Sequence, residues 1–131
     1  MRTFIALALV GLCACVAETE PETGRMVFST DCAACHGMAA KGDGPLGKSL
    51  DIAPPDLTQI SGRNGGTFPR VAVMSVIDGL DRDAHFSTAM PEFGAGDLGD
   101  TVIVEEQEGL GTPIPIRLLL LTDYLESIQG K

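Results

Sequence analysis

A chain of 131 residues, whose first segment reads as a targeting signal, leaves room for one small domain and no more. Eighteen Asp and Glu oppose nine Lys and Arg, for a formal net charge of -9 with no basic run, so the field repels phosphate backbones and argues against nucleic-acid binding. Aromatic bulk is limited to Tyr124 and five Phe, with no Trp, a thin supply that a large buried prosthetic group would make up.

Arg2 precedes an apolar stretch from Phe4 to Leu12, too short for a permanent span and of the dimensions of a signal-peptide core. Export to the periplasm is the expectation, and two cleavage readings stay open. Leu12-Cys13-Ala14-Cys15 resembles a lipoprotein box that would put a lipid anchor on Cys15, and is favoured; Cys15-Val16-Ala17 would serve an ordinary signal peptidase. The division is then 1–14 signal peptide, 15–23 acidic tether and 24–131 a single domain, because the acidic, proline-broken run after Cys15 cannot bury enough surface to fold.

Thr23 caps a predicted helix running to about Cys35, with Gly24, Phe28, Cys32 and Cys35 on one face. From Gly37 to Gly66 the chain is rich in Gly and Pro and reads as an irregular loop with short turns, long enough to suggest that it wraps a ligand. Pro69 suits the first turn of a second helix carrying Val71, Val73, Met74, Val76 and Ile77 up to a stop at Gly79. Thr101 to Val104 is mostly β-branched and pairs in expectation with Leu110 to Thr112 as a hairpin, a helical extension being the competing reading. The last helix starts from Thr112-Pro113 or equally from Pro115, presents Leu118, Leu121, Leu125 and Ile128 as one stripe, and ends near Gly130.

Cys32-Ala33-Ala34-Cys35-His36 carries the chemistry. Two cysteines at this spacing, followed at once by histidine, suit thioether attachment of a c-type haem, with Cys32 and Cys35 as covalent links and His36 carried beneath the ring as proximal iron ligand. A structural zinc site would be short of donors, since the other Cys lie in the signal region and the other His is His85. A thioredoxin-like pair wants a βαβ context that is missing here, and a plain disulfide leaves the histidine unexplained.

For the second axial position, Met90 is the expected distal ligand: it is far from His36 in sequence, and Pro91 stiffens the chain beside it. Met38 is too near His36 to cross the ring. Met26 and Met74 fall inside predicted helices, where core filling is the simpler role. His85 is the rival, and a bis-histidine haem would have the lower potential. The second ring nitrogen of His36 needs an acceptor, for which the carbonyls of Pro45, Pro54 and Pro55 are all eligible.

With these residues in hand, the chain resembles the class I c-type cytochromes over roughly Gly24 to Gln129. Cys32-Ala33-Ala34-Cys35-His36-Gly37 is similar to their haem-attachment motif, Gly24 with Phe28 to their first-helix contact pair, and Met90-Pro91 to their distal loop; Leu121, Tyr124 and Leu125 resemble the closing helix that crosses the first at the glycine. The resemblance implies an all-α, cytochrome c-like helical domain around one covalent haem c; the small β-hairpin expected near 101–112 departs from it, as an insertion between the methionine loop and the last helix. The resemblance further implies a monohaem single-electron carrier with no catalytic residues, working with redox proteins or membrane complexes. Only Lys41 and Lys48 lie in the chain's interior, so a basic docking face on the partner is expected instead of an acidic one. The alternative is a haem enzyme or gas-binding sensor with an open distal site.

Overall fold

The computed structural model describes residues 22–81, 89–96, 98–107 and 109–130. In chain order it has α1 (Gly24–Asp31), α2 (Ala33–His36), α3 (Ile60–Arg63), α4 (Arg70–Asp78), the strands β1 (Thr101–Gln107) and β2 (Leu110–Pro115), and α5 (Ile116–Ser127). Short 3₁₀ turns occupy Gly47–Ser49, Leu57–Gln59 and Phe93–Ala95. The N-terminal segment expected to be a signal, Cys15 and His85 lie outside the described residues. Among the described residues no helix is long and apolar enough to cross a membrane.

Thr23 caps α1 as expected, in an extended conformation with its hydroxyl accepting from the Met26 N–H at 3.3 Å. The helix does not run unbroken to Cys35. Cys32 leaves helical geometry at φ -117°, closing α1 through its N–H to the Phe28 carbonyl at 3.0 Å. Its own carbonyl then accepts from the N–H of Cys35 and of His36, at 3.1 and 2.9 Å, and starts α2. The attachment motif therefore sits on a bent, twice-capped turn.

Packing of α1 against α5 builds the core. Val27 and Phe28 are buried from one side and Leu118, Leu121 and Leu125 from the other, with the Phe28 and Tyr124 rings 5.3 Å apart. The stripe predicted for the last helix is the buried one, Ile128 packing partly buried at its end. Arg117 ties α5 to Asp31 at 3.0 Å and to Glu22 at 3.2 Å, and Arg70 ties α4 to Asp123 and Glu126. The Arg70 pairs are solvent-reached, so each contributes at most about 1 kcal/mol beside the apolar contact. Met74 is half-buried against the core, but Met26 is half exposed and fills no core.

The hairpin forms, and extends further than its β-branched run. Val104 pairs with Thr112, Ile103 with Pro113 and Thr101 with Pro115, with an irregularity between Glu105 and Gln107. Thr112 and Pro113 are thus strand residues and do not start the last helix; of the two readings, the start after Pro115 holds. Proline is tolerated in β2 because the sheet has only two strands and a missing N–H interrupts no inner ladder. The helix ends at Ser127, slightly short of Gly130.

The glycine-rich loop is less irregular than its composition suggests. Asp56 Oδ1 accepts from the Thr58 N–H at 2.9 Å and the Thr58 hydroxyl at 2.6 Å, starting the turn that leads into α3. These bonds hold the Asp56 carboxyl below its ordinary value of 3.8, the hydroxyl contributing most. A depressed carboxylate stabilises the fold above pH 3.8, and this contribution fades as the pH falls through the lower folded value. Thermal melts of wild type and Asp56→Ala are therefore expected to differ at neutral pH and to converge in acid.

Gln129 fastens this loop to the end of α5. Its Oε1 accepts from the Ser61 N–H at 2.9 Å, and its Nε2 donates to the carbonyls of Leu57 at 2.9 Å and Leu125 at 2.6 Å. Gly130 N–H adds a bond to the Thr58 carbonyl at 2.8 Å. Gln129→Ala leaves backbone groups of Leu57 and Ser61 without partners and is expected to cost about 1–3 kcal/mol in a denaturant melt.

Candidate functional site

Carbonyls at the end of α2 find their partners in the loop that follows. The Ala34, Cys35 and His36 carbonyls accept from the N–H of Leu46, Gly44 and Gly42, at 2.9, 3.1 and 2.8 Å. Gly44 approaches so closely that a Cβ there would lie 2.5 Å from the Ala34 carbonyl oxygen. The loop clamps the turn bearing Cys35 and His36, fixing where their side chains emerge.

They emerge into a cavity of about 480 Å³, walled by apolar side chains from every helix but α2, including Phe28, Val73, Ile77, Leu121 and Leu125. Cys32, Cys35 and His36 line it, and so does Met90, half-buried and packed against the core. Residues separated by more than fifty positions in sequence thus share one apolar chamber. Met38, the near neighbour of His36, is two-thirds exposed and lines a separate cleft.

The two sulfurs are not joined as a disulfide. Burial, with smaller contributions from Asp31 and Cys35, pushes the Cys32 thiol up to about 12. Such a thiol is the opposite of the low-pKa thiolate on which a redox pair depends. Among the described residues no three His, Cys, Asp or Glu side chains form a group that could hold a metal by themselves.

Burial lowers the His36 imidazole below its ordinary 6.5, while the Pro55 carbonyl works weakly the other way. Pro55 is thus the carbonyl, of the three eligible, that reaches the ring. It lies beside the imidazole without closing a normal hydrogen bond, since Nδ1 is buried with no partner. The Pro54 carbonyl faces Gly42 instead, and Pro45 lines the separate cleft. A neutral buried imidazole in an apolar chamber, with two thiols and a thioether on the same walls, is a donor set that fits haem: soft sulfur, one imidazole, and flat apolar surface.

The family described as cytochrome c oxidase, cbb3-type, subunit III matches residues 19–105. The chain belongs to this family of c-type cytochromes. Curated proteins and solved structures give no match. Membership implies a covalently bound haem c and a role in electron transport. The match takes in the cysteine motif, the cavity-forming loops and Met90, and stops inside β1; β2 and α5 of this cytochrome lie beyond it.

Two charged residues on the cavity wall, Asp31 and Arg63, were not singled out from the sequence. Asp31 had a signal, its adjacency to Cys32. Arg63 had none, because α3 was hidden inside a segment whose composition reads as loop.

Proposed function

We propose that this cytochrome is a periplasmic monohaem carrier of single electrons, its haem attached at Cys32 and Cys35 and ligated by His36 and Met90. The observation that carries the reading is the convergence of these four side chains on one apolar cavity. Haem, when bound, supplies reversible Fe(III)/Fe(II) exchange. Cys32 and Cys35 would fix its position by two thioether links one helical turn apart. His36 would present its Nε2 to the iron, with Nδ1–H directed at the Pro55 carbonyl to set the tautomer. Met90 would close the sixth position with a thioether, which raises the potential and keeps small ligands out. Phe28, Leu121 and Leu125 exclude water from the chamber, so that little solvent rearranges when the charge changes.

The net charge of -9 favours partners with a basic docking face, and the family's description suggests a membrane oxidase complex as one such partner. The signal-like segment supports export, and Cys15 would add a lipid tether.

Protein matured with haem is expected to be red and to keep its haem through acid acetone. The Cys32→Ser, Cys35→Ser double variant is expected to release it completely. Release from the wild type would defeat the attachment.

A further inference from the structure

Hydrogen bonds between antiparallel strands alternate. Some residue pairs exchange both bonds, and the pairs between them exchange none and turn their N–H and C=O groups away from the partner strand. In the hairpin, Ile103 stands opposite Pro113 and Thr101 opposite Pro115, and proline has no N–H to give, so these pairs exchange none. The Ile116 N–H agrees, since it donates to the Asp100 carbonyl at 2.8 Å and so puts the bonded positions at Asp100, Val102 and Val104.

The two edges of the sheet therefore differ. Along β2, Pro113 and Pro115 remove two outward donors, a device that keeps an edge strand from pairing further. Along β1, Thr101, Ile103 and Glu105 keep their outward N–H and C=O groups, and among the described residues no other strand lies beside them. All three side chains are exposed, Ile103 by about two-thirds, while Val104 and Ile114 pack the other face against the core. Gly111 makes room for the exposed isoleucine, as a Cβ there would lie 2.3 Å from Ile103 Cγ2.

Charge narrows what this edge can take. Between Arg82 and Arg117 the sequence has no Lys or Arg, whereas Asp97, Asp100, Glu105, Glu106 and Glu108 cluster around β1. Pairing with a second copy would bring together two chains of net charge -9, so a basic chain is the complementary occupant.

We propose that the outer edge of β1 binds an extended segment of a partner protein in which Lys or Arg alternates with β-branched residues, added as a third strand through the N–H and C=O groups of Ile103 and Glu105. Backbone bonds supply affinity, while an apolar side chain beside Ile103 and a basic one beside Glu105 supply selectivity. The proposal gives the basic partner a place on the molecule. No hairpin residue lines the haem cavity, so this reading and the haem ligation are tested by different measurements.

The probe is an acetylated, amidated peptide alternating Lys with Val and Thr, beside a counterpart with Glu for Lys. Each is titrated to millimolar concentration, at low salt, into the haem-matured and reduced protein, and followed by amide NMR shifts and hydrogen exchange. The Lys peptide is expected to bind and to slow exchange of the Ile103 and Glu105 amides, with little change at Val102 and Val104, already bonded to β2; the Glu peptide is expected not to bind. I103P removes an outward N–H and no bond to β2, and I103K keeps the N–H but opposes the Lys peptide with a positive charge. Each is expected to weaken binding roughly tenfold. V71K adds the same charge at an exposed site on α4 and is expected to bind as wild type does. Absence of binding, equal binding of the Glu peptide, or unchanged exchange at Ile103 overturns the proposal. So does an affinity of I103K equal to that of V71K, which decides the matter even if I103P does not fold. A wild-type dimer in sedimentation that I103K abolishes gives the edge to a second copy and overturns the partner chemistry.

Discussion

Gly24→Ala is expected to destabilise the haem-matured protein by about 2 kcal/mol or more, lowering Tm by about 10 °C for a domain of this size. A Cβ at Gly24 would lie 1.9 Å from the Leu120 carbonyl oxygen, 2.7 Å from its carbon and 2.8 Å from Tyr124 Cβ. Two of those three atoms are backbone of α5, so no rotamer change can relieve the clash. The helices must separate along the seam where Phe28 meets Tyr124 and the cavity wall begins. Two effects oppose each other: overpacking costs about 1–3 kcal/mol, occasionally more, while replacing a helical glycine gains at most about 1 kcal/mol. The clash with fixed backbone places the loss at the upper end, and it wins. Gly62→Ala is the matched control, since its Cβ would meet nothing nearer than the Gln59 Oε1 at 3.5 Å. It is expected to be neutral or to stabilise by about 0.4–1 kcal/mol, through the unfolded chain. Equal melts for the two variants would mean that α1 and α5 are not in the close contact described.

Features written in local pattern were legible in the sequence. Thr23 before Gly24, Gly79 after Asp78, and the β-branched run at Thr101 each announce an element through chemistry that acts within a few residues, and each element forms. Thr112-Pro113 failed for the converse reason. It carries a sound local cap signal, but pairing with Val104 and Ile103 across the hairpin claims both residues first. Gln129 was invisible because two of its three hydrogen bonds, to Ser61 and Leu57, join loop to helix across long sequence separations, with no periodicity to mark them. Met26 misled in a subtler way: helical position alone does not say which face is buried, and Val27 and Phe28 turn theirs inward instead. Among the chemistry-bearing residues, the pentapeptide is self-announcing, since cysteine and histidine at that spacing have few common uses. Arg63 is not, because an arginine in a polar loop has many.

The second large effect concerns Met90. In the reduced protein, Met90→Leu is expected to bind carbon monoxide rapidly at neutral pH, to lose the sulfur-to-iron charge-transfer band from the oxidised spectrum, and to lower the potential by on the order of 0.1 V, a part of the roughly 0.8 V that axial ligands span. Leucine is chosen over alanine because Met90 also packs against the core. Truncating a buried methionine costs about 2–5 kcal/mol, which would mix a packing loss into the ligand loss, whereas a volume-conserving swap costs less than about 1.5 kcal/mol. A melt close to wild type together with rapid carbon monoxide binding assigns the effect to the thioether. Three outcomes lead elsewhere. Rapid binding already in the wild type makes the distal site open and favours the enzyme or sensor reading. A charge-transfer band that persists in Met90→Leu moves ligation to another methionine. Absence of the band from the wild type, with carbon monoxide still excluded, points to nitrogen ligation and makes His85→Ala the next variant, since a bis-histidine centre resists carbon monoxide without any sulfur band and sits at the lower potential.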